Sequence, residues 1–214
     1  MIEINNLSFS FGKNTVISEL SFRIEKGKIY CIMGKSGVGK TTLLRLLSCV
    51  LKSEKGKIVY NEDVKKSFVF QENRLIPWMS AYDNLKYVTN DENAIKSALI
   101  ETSLLEEKDN KSNELSGGMA RRLSIARAIA FGGDVFFIDE PLYGLDVKTS
   151  EGILELIKNT LKNKTAVIIT HSPEEAFFLS DKIIFLKNSP ICEAEIIATS
   201  EFTTSDEIKK HLLA

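Results

Sequence analysis

Only three cysteines occur in this chain of 214 residues, at Cys31, Cys49 and Cys192. They are widely spaced and odd in number, which excludes a disulfide framework and a cysteine metal site and points to a reducing, cytosolic compartment. Net charge is nearly absent as well. The 28 basic and 29 acidic residues leave −1, so no overall positive field draws the chain to nucleic acid or anionic lipid. Apolar runs are short, none near the ~20 residues of a membrane-spanning helix. The opening MIEINNLSFSF alternates like a strand and does not read as a basic-then-apolar signal peptide. There is no internal repeat and no low-complexity linker. What is present is enough chain for one α/β domain with a small insert and a buried core.

Periodicity places the elements. Residues 2–11 and 16–24 alternate as β segments around a Gly-Lys-Asn turn, and KIYCIM (28–33) is the continuous apolar run of a strand covered on both faces. A helix is predicted from Lys40 to Val50, then strands at KIVYN and SFVFQ, then a helical stretch over 80–108 with few β-branched residues. Beyond it come the helix within ELSGGMARRLSIARAIA (114–130), the strand DVFFID (134–139) and a helix over 148–162. The strand TAVIIT (165–170), a short helix from Pro173 and the strand KIIFL (182–186) follow. Strands alternating with helices predict a mainly parallel sheet with right-handed crossovers, carrying an N-terminal antiparallel β subdomain. The division expected is a core over 1–71 and 116–214 with an inserted α-helical subdomain over 72–115.

Chemistry is concentrated at strand ends. GKSGVGKTT, from Gly34 to Thr42, follows a buried strand, precedes a helix and fits G-x-x-x-x-G-K-[ST] in full. Its glycines let the backbone N–H groups face phosphates, Lys40 reaches the β/γ oxygens and the Thr41 hydroxyl can ligate Mg²⁺. VFFIDEP puts Asp139 and Glu140 at the carboxyl end of an apolar strand, where Asp139 would hold the metal through water and Glu140 would polarise an attacking water. Gln71 and His171 end two further strands.

A second anion site stands at Ser116-Gly117-Gly118, ahead of a helix. One charge-assisted hydrogen bond contributes ~1.5–3 kcal/mol and a helix terminus ~0.3–1 kcal/mol. A serine hydroxyl, two backbone N–H groups and a helix terminus together supply about 5 kcal/mol, a dissociation constant of roughly 0.2 mM. That is too weak for an independent nucleotide site and sufficient to close over a nucleotide already held elsewhere.

The ordered set GKSGVGKTT, Gln71, LSGGM, VFFIDEP, GLD and His171 resembles the nucleotide-binding subunit of an ATP-binding cassette (ABC) transporter from about Leu7 to Leu186. The resemblance implies an ABC-type P-loop NTPase that hydrolyses ATP with Mg²⁺. Two copies would pack head to tail, with Ser116, Gly117 and Gly118 of one capping the ATP held by the Gly34, Lys35, Ser36, Gly37, Gly39, Lys40, Thr41 and Thr42 loop of the other. By the same resemblance Phe11 stacks on adenine, Glu140 is the general base and His171 contacts the γ-phosphate. Gln71 links Mg²⁺ to the helical subdomain, and Asp146 lies on the loop passing between the two sites. Tyr143 departs from the pattern, which usually has a small Ser there.

FVFQENRLIPWMSAYDNL followed by LSGGM is similar to importers of the nitrate, sulfonate, taurine and thiamine-precursor group. That similarity implies a peripheral protein on the cytoplasmic side of the membrane, working with a multispanning permease and, indirectly, an extracytoplasmic binding protein, and not with nucleic acid. Pro77, Trp78 and Met79 read equally as ordinary core; by the ABC resemblance they belong, with the Gln71 loop, to the region that receives a short helix of the permease. The importer subgroup implied here is expected to lack the β-rich regulatory domain of sugar-type importers, and EEKDNKSN lacks the Gly-containing loop of exporter cassettes. A chromosome-organising ATPase would need sustained heptads between the phosphate loop and LSGGM, a translation-associated cassette protein would carry two cassettes, and a small-molecule kinase has no use for LSGGM.

Overall fold

Alternation of buried and exposed side chains over the first two dozen residues produces a hairpin. The computed structural model describes residues 2–60 and 63–213, which contain β1 (Ile2–Phe11), β2 (Asn14–Ile24), β3 (Ile29–Gly34), α1 (Lys40–Leu47) and β4 (Lys55–Tyr60). Next come β5 (Lys66–Val69), α2 (Ala81–Lys86), α3 (Glu92–Glu101), α4 (Gly117–Phe131), β6 (Val135–Asp139) and α5 (Val147–Thr160). The last elements are β7 (Thr165–Ile169), α6 (Pro173–Leu179), β8 (Lys182–Leu186), β9 (Glu195–Ala198) and α7 (Ser205–Leu213). The described residues form two compact units, Met1–Val64 with Asn163–Ala214 and Lys65–Lys162.

In the first unit β1 pairs antiparallel with β2 and β4, in registers such as Ile4↔Phe22 and Ile4↔Ile58. Ile2, Ile4, Leu7, Leu20 and Ile24 are buried, each stabilising the fold by about 1.5–3 kcal/mol relative to an exposed side chain. The register breaks at Asn6, whose φ of 50° is a conformation Asn tolerates. Ser21 Oγ secures the break by accepting from Asn6 N at 2.8 Å.

β3 lies between parallel β7 and β8, and β9 adds antiparallel to β8. This explains the apolar run at 28–33, since both faces of β3 are covered. Burial pushes the Cys31 thiol up to about 12, so this cysteine packs as a small apolar group. Two elements here have too weak a pattern to be predicted. β9 is a half-buried edge, and α7 buries only Ile208 fully while the His211 ring meets Phe185 at a tilt with ring centroids 4.6 Å apart.

α1 stops at Leu47, short of the predicted Val50, because Cys49 turns left-handed at φ 63° and Leu51 N donates to the Arg45 carbonyl. The KIVYN strand begins two residues early, at Lys55, and its Asn61 lies outside the described residues. The second unit pairs β5 parallel with β6, Phe68 opposite Phe137. The helical stretch predicted over 80–108 is two separate helices. Ser80 caps α2 by accepting from Asp83 N, and Asp91 caps α3 by accepting from Asn93 N and Ala94 N. Leu85, Ile95, Leu99 and Leu104 pack against Leu123, Ala126 and Ala130 of α4, making α4 the hub of this unit.

Candidate functional site

The Gly34–Thr42 loop curls because two of its glycines stand where no side chain fits. A Cβ on Gly34 would lie 2.5 Å from the Leu186 carbonyl, and Gly39, at φ +114°, would put one 2.6 Å from Val16 Cγ1. The curl closes around Lys40, only 6% exposed, whose Nζ donates to the carbonyls of Gly34 at 2.9 Å and Lys35 at 3.0 Å. Lys35, Ser36 and Gly37 are exposed at the rim, and Thr41 and Thr42 are half-buried in the first turn of α1. An ammonium group, a curled backbone and a helix N-terminus at one loop suit an anion of several charges.

Two other predicted residues of the first unit are reachable by a ligand. Phe11 is 53% exposed and meets Phe9 edge-on with centroids 4.9 Å apart, so it is not consumed by strand packing. His171 is exposed just after β7, ahead of the Ser172 cap of α6. The Thr170 hydroxyl beside it donates to Glu175 Oε2 at 2.5 Å and accepts from Ser172 N, which fixes the turn carrying the imidazole.

The second unit brings Gln71 and Glu140 together. β6 is buried along its whole length and ends at Asp139, 2% exposed. Glu140 follows at φ 44°, a strained conformation for a non-glycine residue. Gln71 Nε2 donates to Glu140 Oε2 at 3.2 Å across 69 residues of sequence.

Beneath this pair lies a residue that sequence reasoning missed. Arg121 of α4 is 3% exposed; its Nε donates to the Pro141 carbonyl at 2.6 Å, Nη1 to the Phe70 carbonyl at 2.6 Å and Nη2 to the Glu140 carbonyl at 3.1 Å. Burial pushes its guanidinium down to about 10, partly offset by the nearby Asp139 carboxylate, so it stays charged at neutral pH. Arg127 holds the same loop further along, donating to the carbonyls of Arg74 at 2.7 Å and Asn73 at 3.0 Å. One sequence signal was available. Ser124 and Ala128, three and seven residues after Arg121, are small and share its helix face, leaving room for a long side chain to turn inward.

At the start of α4, Ser116 caps the helix by accepting from Met119 N, and Ser116 and Gly117 are exposed. Asp146 caps α5, accepting from Thr149 Oγ1 at 2.7 Å and Thr149 N at 3.0 Å; these bonds hold its carboxyl below the usual carboxylate range. Thr149 in turn presses its methyl group toward Gly118, where a Cβ would lie 2.6 Å from Cγ2. Because the Asp146 bond fixes the Thr149 rotamer, Gly118→Ala should destabilise the chain by ~1–3 kcal/mol from overpacking. This outweighs the ~1 kcal/mol that Ala gains over Gly in a helix. Removing that methyl with Thr149→Ser while keeping the hydroxyl should make Gly118→Ala neutral or stabilising, and thermal unfolding of the four members of this double-mutant cycle checks it.

Trp78, 73% exposed, is not core, and Pro77 is exposed beside it while Met79 is half-buried. Tyr143 is exposed on the loop before Asp146. In the same unit Lys66, Phe68, Phe70, Tyr87 and Phe131 line an open groove of about 290 Å³.

Residues 17–143 match the family model described as ABC transporter. The chain is 34% identical over 206 residues to the intermembrane phospholipid transport system ATP-binding protein MlaF of Haemophilus influenzae, covering 85% of this chain and 78% of that protein. It is 32% identical over 200 residues to the aliphatic sulfonates import ATP-binding protein SsuB of Zymomonas mobilis, covering 89% and 83%. A solved dimeric post-hydrolysis state of the ATP-binding cassette MJ0796, bound to ADP and Pi, has the same fold with a TM-score of 0.79 and 27% identity, over 93% of this chain and 99% of that one. No helix among the described residues is long and apolar enough to cross a membrane. Family model, relatives and cassette fold agree with one another, and the chain therefore belongs to the ABC transporter family as an ATP-binding, ATP-hydrolysing subunit.

Proposed function

We propose that two copies of this chain close head to tail around two ATP molecules and that the closure drives import of a solute through a separate membrane permease. The observation that carries this reading is the start of α4. Ser116 and Gly117 are exposed at a capped helix terminus, a built anion surface with too few donors to hold a nucleotide alone. In a symmetric dimer such a surface can complete its partner's site.

Within each site we assign Lys40 and the backbone from Gly34 to Thr42, with Lys35, Ser36, Gly37 and Gly39, to the phosphates, and Phe11 to the adenine ring. Glu140 takes the proton of the attacking water while the Gln71 amide steadies its carboxylate, and His171 contacts the γ-phosphate. Thr41, Gln71 and Asp139 would hold Mg²⁺. No group of three or more His, Cys, Asp or Glu side chains forms a cage among the described residues, which suits a cation that keeps phosphate and water ligands. When bound, Mg²⁺ neutralises charge on the β- and γ-phosphate oxygens. Asp146, through its cap on α5 and the Thr149–Gly118 contact, ties the loop between the two sites to the Ser116 surface.

The 72–115 segment is proposed as the helical subdomain. The groove lined by Phe68, Phe70 and Tyr87, with exposed Trp78, would receive the permease and hold the chain peripherally at the cytoplasmic face. SsuB is named for aliphatic sulfonates import, and this supports an importer; an extracytoplasmic binding protein is proposed as its indirect partner. MlaF, named for phospholipid transport, is equally similar, which supports cargo selection outside the cassette.

The test mixes Lys40→Ala chains with Ser116→Arg chains. Each variant alone should be inactive, and the mixture should regain turnover because mixed dimers contain one intact composite site. A mixture no more active than its components would show that sites are not shared between chains.

A further inference from the structure

We propose that Arg121 is a positioning residue that ties both the Gln71 loop and the Asp139–Pro141 turn to the helix beginning at the Ser116 surface, so that closure on the partner's ATP sets the geometry of this chain's own Gln71–Glu140 pair. The inference rests on the dimer reading above and goes beyond it. Arg121 touches none of the reacting atoms in that reading.

Two short segments, 50 and 20 residues away in sequence, converge on one guanidinium. From the first it meets the carbonyls of Phe70 and Gln71 and Asn73 Oδ1, the last two at 3.3 Å and 3.4 Å; from the second it meets the carbonyls of Glu140 and Pro141, with that of Asp139 at the edge of bonding distance, 3.5 Å. A planar fork with five N–H donors can serve two segments at once, whereas an ammonium on a flexible stem acts as a point. A buried charge is also a poor stability device, since an apolar side chain of similar volume is often no less stable in its place. What the fork adds is a fixed distance between the backbone of Gln71 and that of Glu140.

Placement along α4 explains what moves the fork. Arg121 stands five residues after Ser116, so about 7.5 Å of helix separates the exposed anion surface from the clamp. One rigid turn and a half connects the two ends. A shift of α4 as Ser116 engages a γ-phosphate is carried to both carbonyl sets together. Glu140, in its strained left-handed conformation, keeps the Gln71 bond only while its own carbonyl is held.

The experiment uses the full chain with Mg-ATP. Arg121→Gln is expected to lower kcat by about 10²-fold while KM for ATP stays within about 3-fold, the split expected when positioning for the chemical step is lost and nucleotide binding is kept. Arg121→Lys keeps the charge but cannot span both segments, so kcat should stay at least about tenfold down. In a Glu140→Gln background, both changes should still permit the ATP-dependent dimer. The neighbouring Arg122, which donates to the Thr102 carbonyl and to neither catalytic loop, is the control, and Arg122→Gln should leave kcat within about 3-fold. Unchanged kcat in Arg121→Lys, or equal losses in kcat and ATP affinity, overturns the proposal. If Arg121→Gln does not fold, hydrogen exchange of the unmodified chain decides. Peptides covering 70–73 and 139–142 should gain protection together on adding ATP, and independent changes overturn it. The dimer reading fails separately, when a mixture of Lys40→Ala and Ser116→Arg chains is no more active than its components.

Discussion

Lys40→Ala should abolish ATP binding and hydrolysis and leave the fold intact. The ammonium makes hydrogen bonds to two carbonyls of its own loop, at 2.9 Å and 3.0 Å, and in the proposed site it exchanges these for β- and γ-phosphate oxygens. Two charge-assisted bonds at ~1.5–3 kcal/mol each correspond to roughly 10²–10⁴-fold in affinity. Alanine gains helix propensity in the first turn of α1 and relieves a buried charge, so thermal stability should be unchanged or slightly raised. Equilibrium binding of a fluorescent ATP analogue, read beside circular dichroism, checks both halves. Full affinity in a folded Lys40→Ala chain would remove Lys40 from the phosphate site.

Glu140→Gln should lower turnover by ~10²–10⁴-fold, the contribution typical of general base catalysis, and accumulate an ATP-dependent dimer on a sizing column. The substitution isolates basicity. A glutamine keeps the side-chain length, and its amide oxygen can still accept from Gln71 Nε2, which now bonds Glu140 Oε2 at 3.2 Å. The backbone at φ 44° is as strained for Gln as for Glu. What disappears is the capacity to take a proton from water, so ATP binds and closes the dimer without being consumed. A variant that turns over ATP at the unmodified rate would assign the base elsewhere, and a slow variant that remains monomeric with ATP would break the link between nucleotide and dimer.

Much of the candidate site was legible because its residues are contiguous. Gly34 to Thr42 carries its loop, lysine and hydroxyl within one stretch, and the runs that became β3, β6, β7 and β8 read as strands because burial on both faces demands unbroken apolar sequence. Ser116 was equally plain as a helix start, since a cap acts on N–H groups three residues away. Less was visible where the determinants are weak or distant. β9 is an edge with no strong alternation, α7 needs one buried isoleucine, and the left-handed turn at Cys49 has neither the Gly nor the Asn that marks such a cap.

The order of local motifs determined the family, the Gly34–Thr42 motif, the acidic strand end and the helix cap, because each depends on residues within a few positions of one another. Only the folded chain decided that Gln71 bonds Glu140, that Asp146 bonds the Thr149 whose methyl faces Gly118, and that Arg121 donates to carbonyls of both the Gln71 segment and the Glu140 turn. The physical reason is clearest for Arg121. Its partners are almost all backbone carbonyls, which every residue possesses, so nothing in the identities of Phe70, Gln71, Glu140 or Pro141 marks them as its acceptors until the chain is folded around it.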